Sequence, residues 1–88
     1  MKNINLTITN TGNEAAYRKA VKSALDYLKG TVGMSPAKVV EHGDPQLHTH
    51  ILVAGLSEEG WIKLRSARKN FGMSTWINIS AKAIAQFK

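Results

Sequence analysis

Gln46-Leu47-His48-Thr49-His50-Ile51-Leu52-Val53 reads as a β-strand that carries two imidazoles into an apolar run. Side chains alternate across a strand, so His48 and His50 share one side, about 7 Å apart at Cα. Leu47, Ile51 and Val53 take the opposite side and read as core. The i, i+2 spacing allows both imidazoles to reach one divalent cation. Seven residues before His48, Glu41 ends the apolar run Ala37-Lys38-Val39-Val40-Glu41. A carboxylate on this neighbouring strand would make a three-ligand site with open positions.

Upstream, Asn3-Ile4-Asn5-Leu6-Thr7-Ile8-Thr9 alternates polar and apolar, the pattern of a half-buried strand. Asn13 is placed to cap a helix over residues 14–29. The apolar stripe of that helix is Ala16, Tyr17, Ala20, Val21, Ala24, Leu25 and Leu28, and Gly30 is the expected stop. A loop over 31–36 leads to a strand over 37–42. Gly43-Asp44-Pro45 turns the chain into the histidine strand, expected over 46–54. Ser57 caps a second helix that runs to Asn70. Glu58 and Glu59 in its first turn suit the positive end of the helix dipole. Phe71-Gly72 ends it, residues 74–80 read as a fourth strand, and residues 81–88 read as a helical stub.

The order β-α-β-β-α-β predicts an α+β ferredoxin-like sandwich forming one domain over 1–88: a four-stranded antiparallel sheet with both helices on one face. Ile4, Leu6, Ile8, Val40, Leu47, Ile51, Val53, Ile77 and Ile79 are expected to meet the helices. The open face would carry Asn5, Thr7, Val39, Glu41, His48, His50, Trp76, Asn78 and Ser80. His42, at the end of its strand, is expected to point to the helix side.

The bulk composition narrows the partners. The chain has 88 residues, enough for one small core. It contains no cysteine, so disulfides and thiolate metal sites are excluded and a metal must use imidazole, carboxylate and water. That composition is compatible with the expected cytoplasmic location. No stretch approaches the roughly 20 apolar residues that span a bilayer, so no membrane role is expected. The net charge is +6 at 43% hydrophobic content, which points to a polyanionic partner; the plainer reading is a solubilising surface.

Val39-Val40-Glu41-His42-Gly43-Asp44-Pro45-Gln46-Leu47-His48-Thr49-His50-Ile51-Leu52-Val53 resembles the HUH endonucleases, and among them the rolling-circle replication initiators of plasmids and phages. Leu64-Arg65-Ser66-Ala67-Arg68-Lys69-Asn70-Phe71-Gly72-Met73-Ser74-Thr75-Trp76-Ile77-Asn78-Ile79 is similar to the helix, glycine turn and strand that follow in that family. The resemblance implies Mg²⁺ or Mn²⁺ held by His48 and His50, with Glu41 as the third ligand. The ion would polarise a phosphate of single-stranded DNA. Phosphate contacts are expected from Lys82, Lys88 and Arg68. Trp76, with Asn78 on the same face, is placed to stack a base; the opposing reading has the C-terminal helix covering Trp76.

The family's nucleophilic tyrosine is absent. It belongs on the helix after the last strand, where this chain reads Ala83-Ile84-Ala85-Gln86-Phe87-Lys88. Phe87 has no hydroxyl. Two readings stay open: a chain cut before the tyrosine, or a relative that kept the fold without the chemistry. Tyr17 and Tyr27 both lie on the first helix, and Tyr17 falls on its apolar stripe. The rival functions are a catalytically inactive regulator or inhibitor acting on nucleic acid or a protein partner, and an RNA-binding module. The second lacks the aromatic pair expected on the central strands. A small metalloenzyme unrelated to nucleic acid lacks an obvious general base.

Overall fold

The computed structural model describes residues 2–71, Lys69 by its backbone alone, and the backbone of 74–79. Ser80, the stub over 81–88 with Lys82 and Lys88, and the side chains of Trp76 and Asn78 lie outside the described residues. The chain is α+β. β1 (Lys2–Thr9), α1 (Glu14–Tyr27), β2 (Lys38–His42), β3 (His48–Leu56), α2 (Glu58–Ala67) and β4 (Ser74–Ile79) follow in that order. β3 pairs antiparallel with both β1 and β2, and the backbone of β4 pairs with β1, giving the order β2-β3-β1-β4.

Alternation in β1 and β3 builds the core. Ile4, Leu6 and Ile8 join Ile51 and Val53 beneath Tyr17, Ala20 and Ala24 of α1 and Leu64 and Ala67 of α2. Because one cluster holds all of them, both helices lie on the same face of the sheet. β3 runs two residues past its expected end. A bulge between the Ile4–Val53 and Lys2–Leu56 pairs makes this possible. Gly55 supplies its positive φ of 69°, and the Gly55 N–H donates to Asn3 Oδ1 at 3.1 Å. The extra residue resets the alternation, so Leu56 reaches the core as Val53 does.

Asn13 caps α1, accepting from the Ala16 N–H at 3.0 Å. The helix does not stop at Gly30. Its hydrogen bonding widens into a π turn over Leu28–Val32, which ends at Gly33 with φ of 80°. Leu28 stays buried through this turn, and Val32 and Met34 pack on the core. Val32 closes over Gly60 of α2, where an added Cβ would stand 2.8 Å from Leu56 Cδ1 and 3.1 Å from Val32 Cγ1. Gly60→Val is therefore expected to destabilise the fold by about 1–3 kcal/mol through overpacking, read as a lower urea midpoint. An unchanged midpoint would show that Leu56 and Val32 move aside freely.

The sheet departs from expectation at β2. The opposed pairs are Val40–His50, Glu41–Thr49 and His42–His48. Opposed residues in an antiparallel pair share a face. Val40 and His42 therefore lie on the side of His48 and His50, whereas Val39 and Glu41 lie on the helix side. All four expectations for β2 are reversed. A one-residue change of register moves every side chain of a strand to the other face, and the loop between β2 and β3 sets that register.

Candidate metal centre on the open sheet face

β1 and β3 bring Asn5, Thr7, His48 and His50 to the face away from the helices, as expected. The hairpin adds His42. The His48 and His50 rings are 4.9 Å apart between centroids, His42 and His48 5.2 Å, and His42 and His50 5.6 Å. This cluster stands at the accessible end of the face. His42 is exposed and the other two imidazoles are half-buried. Further along the same face Leu52 is sealed from solvent and Asn5 nearly so.

Two of the three rings have their tautomers set by neighbours. His48 Nδ1 lies against the Gln46 carbonyl oxygen, which can only accept, so Nδ1 carries the proton. His50 Nδ1 lies 3.2 Å from Asn5 Oδ1 and 3.0 Å from Thr7 Oγ1. Thr7 itself donates to Asn5 Oδ1 at 3.3 Å, so that amide oxygen collects donors and His50 Nδ1 is again the protonated nitrogen. In the neutral ring the lone pair then belongs to Nε2, the arrangement that outer-shell acceptors impose on metal-binding histidines. Sequence reasoning placed Asn5 and Thr7 on this face without giving them this role. His42, expected on the helix side, joins this face because of the β2–β3 register, which neither strand specifies alone.

The environment also disfavours the charged form of His50. Burial pushes its pKa below the ordinary value, and the neighbouring His48 and His42 charges push the same way. A histidine whose pKa is lower folded than unfolded contributes stability that is present above the unfolded value of about 6.5 and is lost as pH falls below it. The urea midpoint of the wild type is expected to drop from pH 7.5 to pH 5 by more than that of His50→Gln. Equal drops in both proteins would remove His50 from the account.

Glu41, expected as the third ligand, is not on this face. The Arg18 guanidinium of α1 forms an ion pair with Glu41 Oε1, and the Tyr17 hydroxyl donates to the same oxygen at 3.4 Å. Tyr17 Oη also meets Thr49 Oγ1, the side chain across from Glu41. The carboxylate thus ties the β2 edge to α1. Arg68 lies in the exposed turn after α2, in the helix layer, across the sheet from the imidazoles. By backbone register Trp76 stands opposite Thr7 and Asn78 opposite Asn5, next to the cluster. Among the described residues no three His, Cys, Asp or Glu side chains stand ready-made to hold a metal ion. Residues His48 and His50 fit a divalent ion by donor type and tautomer; Glu41 does not fit by position.

No family model, curated protein or solved structure matches the chain. Among the described residues no helix is long and apolar enough to cross a membrane.

Proposed function

We propose that the chain is a replication-initiator-like domain of the HUH type, with a ferredoxin-like fold, that holds single-stranded DNA across the open sheet face beside a divalent metal ion on His48 and His50. One observation carries this reading: two adjacent imidazoles, each with Nδ1 tied to an acceptor, stand 4.9 Å apart at the accessible end of that face. The net charge of +6 supports a polyanionic partner. The bound ion would supply Lewis-acid polarisation of a phosphate oxygen. The chain's own residues would orient that ion through Asn5, Thr7 and the Gln46 carbonyl. Neither tyrosine is poised to attack a phosphate there: Tyr17 is sealed in the core, and the Tyr27 hydroxyl donates to the Lys63 carbonyl at 3.2 Å. The proposed role is DNA positioning rather than cleavage through a tyrosine of the described residues.

Fluorescence anisotropy with a labelled single-stranded oligonucleotide, with and without Mn²⁺ and at two salt concentrations, tests the reading. Binding that weakens with salt and tightens with Mn²⁺ is expected, and the Mn²⁺ increment should vanish in His48→Ala/His50→Ala. Absence of binding at low salt would overturn the DNA role. Binding indifferent to metal would favour a metal-free regulator or inhibitor on the same fold.

A further inference from the structure

We propose that the outer edge of β2, with the flank of α1 beside it, is a docking site for an extended acidic protein segment that adds to the sheet as a further strand. This goes beyond the reading above and uses none of the imidazoles. β2 stands at the end of the order β2-β3-β1-β4, and its far edge pairs with no strand among the described residues. Such an edge is a template for another chain unless charge, a bulge or a covering element blunts it. On the helix side of β2, charge does not guard the edge. Val39 lies there 45% exposed, and Glu41 is drawn to α1 by Arg18.

The flank of α1 decides what fits. Arg18 reaches Glu41 of β2, whereas Tyr27, on the opposite side of the helix, reaches the Lys63 carbonyl of α2. The side that carries Arg18 therefore faces the β2 edge. Helical spacing puts Lys22 on that side, and Lys29 follows along it in the π turn. β1 and β2 are parallel, because each pairs antiparallel with β3, so α1, returning between them, runs against β2. Four helical residues advance about 6 Å and two strand residues about 6.6 Å, so Val21 and Lys22 stand level with Val39 as Tyr17 and Arg18 do with Glu41. Val21 and Leu25 are half-buried against the core. Lys22 and Lys29 are exposed, and neither is in an ion pair among the described residues. An added strand would set an apolar side chain against Val39 and, two residues along on the same side, a carboxylate within reach of these lysines. A second copy fits less well. Antiparallel pairing of β2 with β2 about a twofold axis would bring two such cationic flanks together on one face, where like charges repel.

Amide-resolved NMR titration of the full chain with a synthetic peptide of Val-Thr-Asp-Thr repeats tests this. Such a peptide puts Val and Asp alternately on one side of a strand. Saturable shifts and slowed amide exchange over Val39–His42 are expected, and none with the peptide that has Lys in place of Asp. Val39→Asp should weaken binding roughly tenfold and Lys22→Glu roughly fivefold, with circular dichroism verifying the fold of both. Arg65→Glu, the same change of charge on exposed α2 surface, should leave the affinity as it is. No saturable binding of the Asp peptide would overturn the proposal. So would equal losses in Lys22→Glu and Arg65→Glu, which would reduce the attraction to net charge. A dimer in analytical ultracentrifugation that Val39→Asp dissolves would give the edge to a second copy instead. Displacement of the peptide by a single-stranded oligonucleotide that shifts the same amides would give it to nucleic acid.

Discussion

Tyr17→Ala is expected to lower the unfolding free energy by about 3–5 kcal/mol, the cost of emptying a large aromatic site from a packed core. Tyr17 is fully buried, and it touches the sheet at the point that matters for the site. Its hydroxyl meets Thr49 Oγ1 and Glu41, one on each strand of the β2–β3 hairpin. Arg18 packs over the same ring, its guanidinium carbon 5.3 Å from the ring centre, and holds Glu41 by an ion pair. Tyr17→Phe separates the two contributions. It keeps the packing but leaves Thr49, which is 2% exposed, without that partner, for an expected loss of about 1–3 kcal/mol. Small domains of this kind are stable by only about 5–15 kcal/mol, so the alanine variant should be largely unfolded in modest urea. Urea denaturation followed by tryptophan fluorescence and circular dichroism would read both values. Equal, small losses in the two variants would mean that Tyr17 is neither packed nor bonded as described.

Removing both strand histidines should abolish one-site divalent metal binding while sparing the fold. His48 and His50 lie outside the hydrophobic core, and their rings are half-buried. His48→Ala/His50→Ala should therefore cost about 1 kcal/mol or less, the most costly part being the loss of the His50 contact to Asn5 and Thr7. Metal affinity should fall below detection, because two donors disappear at once. Asn5→Ala is the graded companion: it leaves all three rings but releases the His50 tautomer, and should weaken metal binding by roughly 10–100-fold. Calorimetry and thermal melts on the same samples separate site from fold. Undiminished binding in the double variant would place any metal elsewhere on the chain.

Much of this architecture was legible along the chain because it depends on short-range periodicity. The alternation of Ile4, Leu6 and Ile8 fixes which side of β1 is core, whatever β1 pairs with. Asn13 and Ser57 announce their helices because an N-cap is a bond between neighbours three residues apart, and both caps are made. The common side of His48 and His50 follows from the two-residue repeat alone. The run of β3 to Leu56 was not legible, since it depends on a bulge whose partner strand is some fifty residues away in sequence. Nor was the π turn at Leu28–Val32, where core contacts to Val32 and Met34 override the stop expected at Gly30.

The third group at the candidate centre is the sharpest case. Sequence by itself determined that two imidazoles share a face and that a carboxylate and a third imidazole, Glu41 and His42, stand next to each other on the preceding strand. Adjacent residues of a strand must point to opposite faces, so only one of them can join the pair. Tertiary structure decided which. The hairpin register opposes His42 to His48, and Tyr17 and Arg18 of α1 hold Glu41 on the other side. The physical reason is that alternation is a property of one strand, whereas register is a property of two, set by the loop that joins them and by the helix that packs against one face.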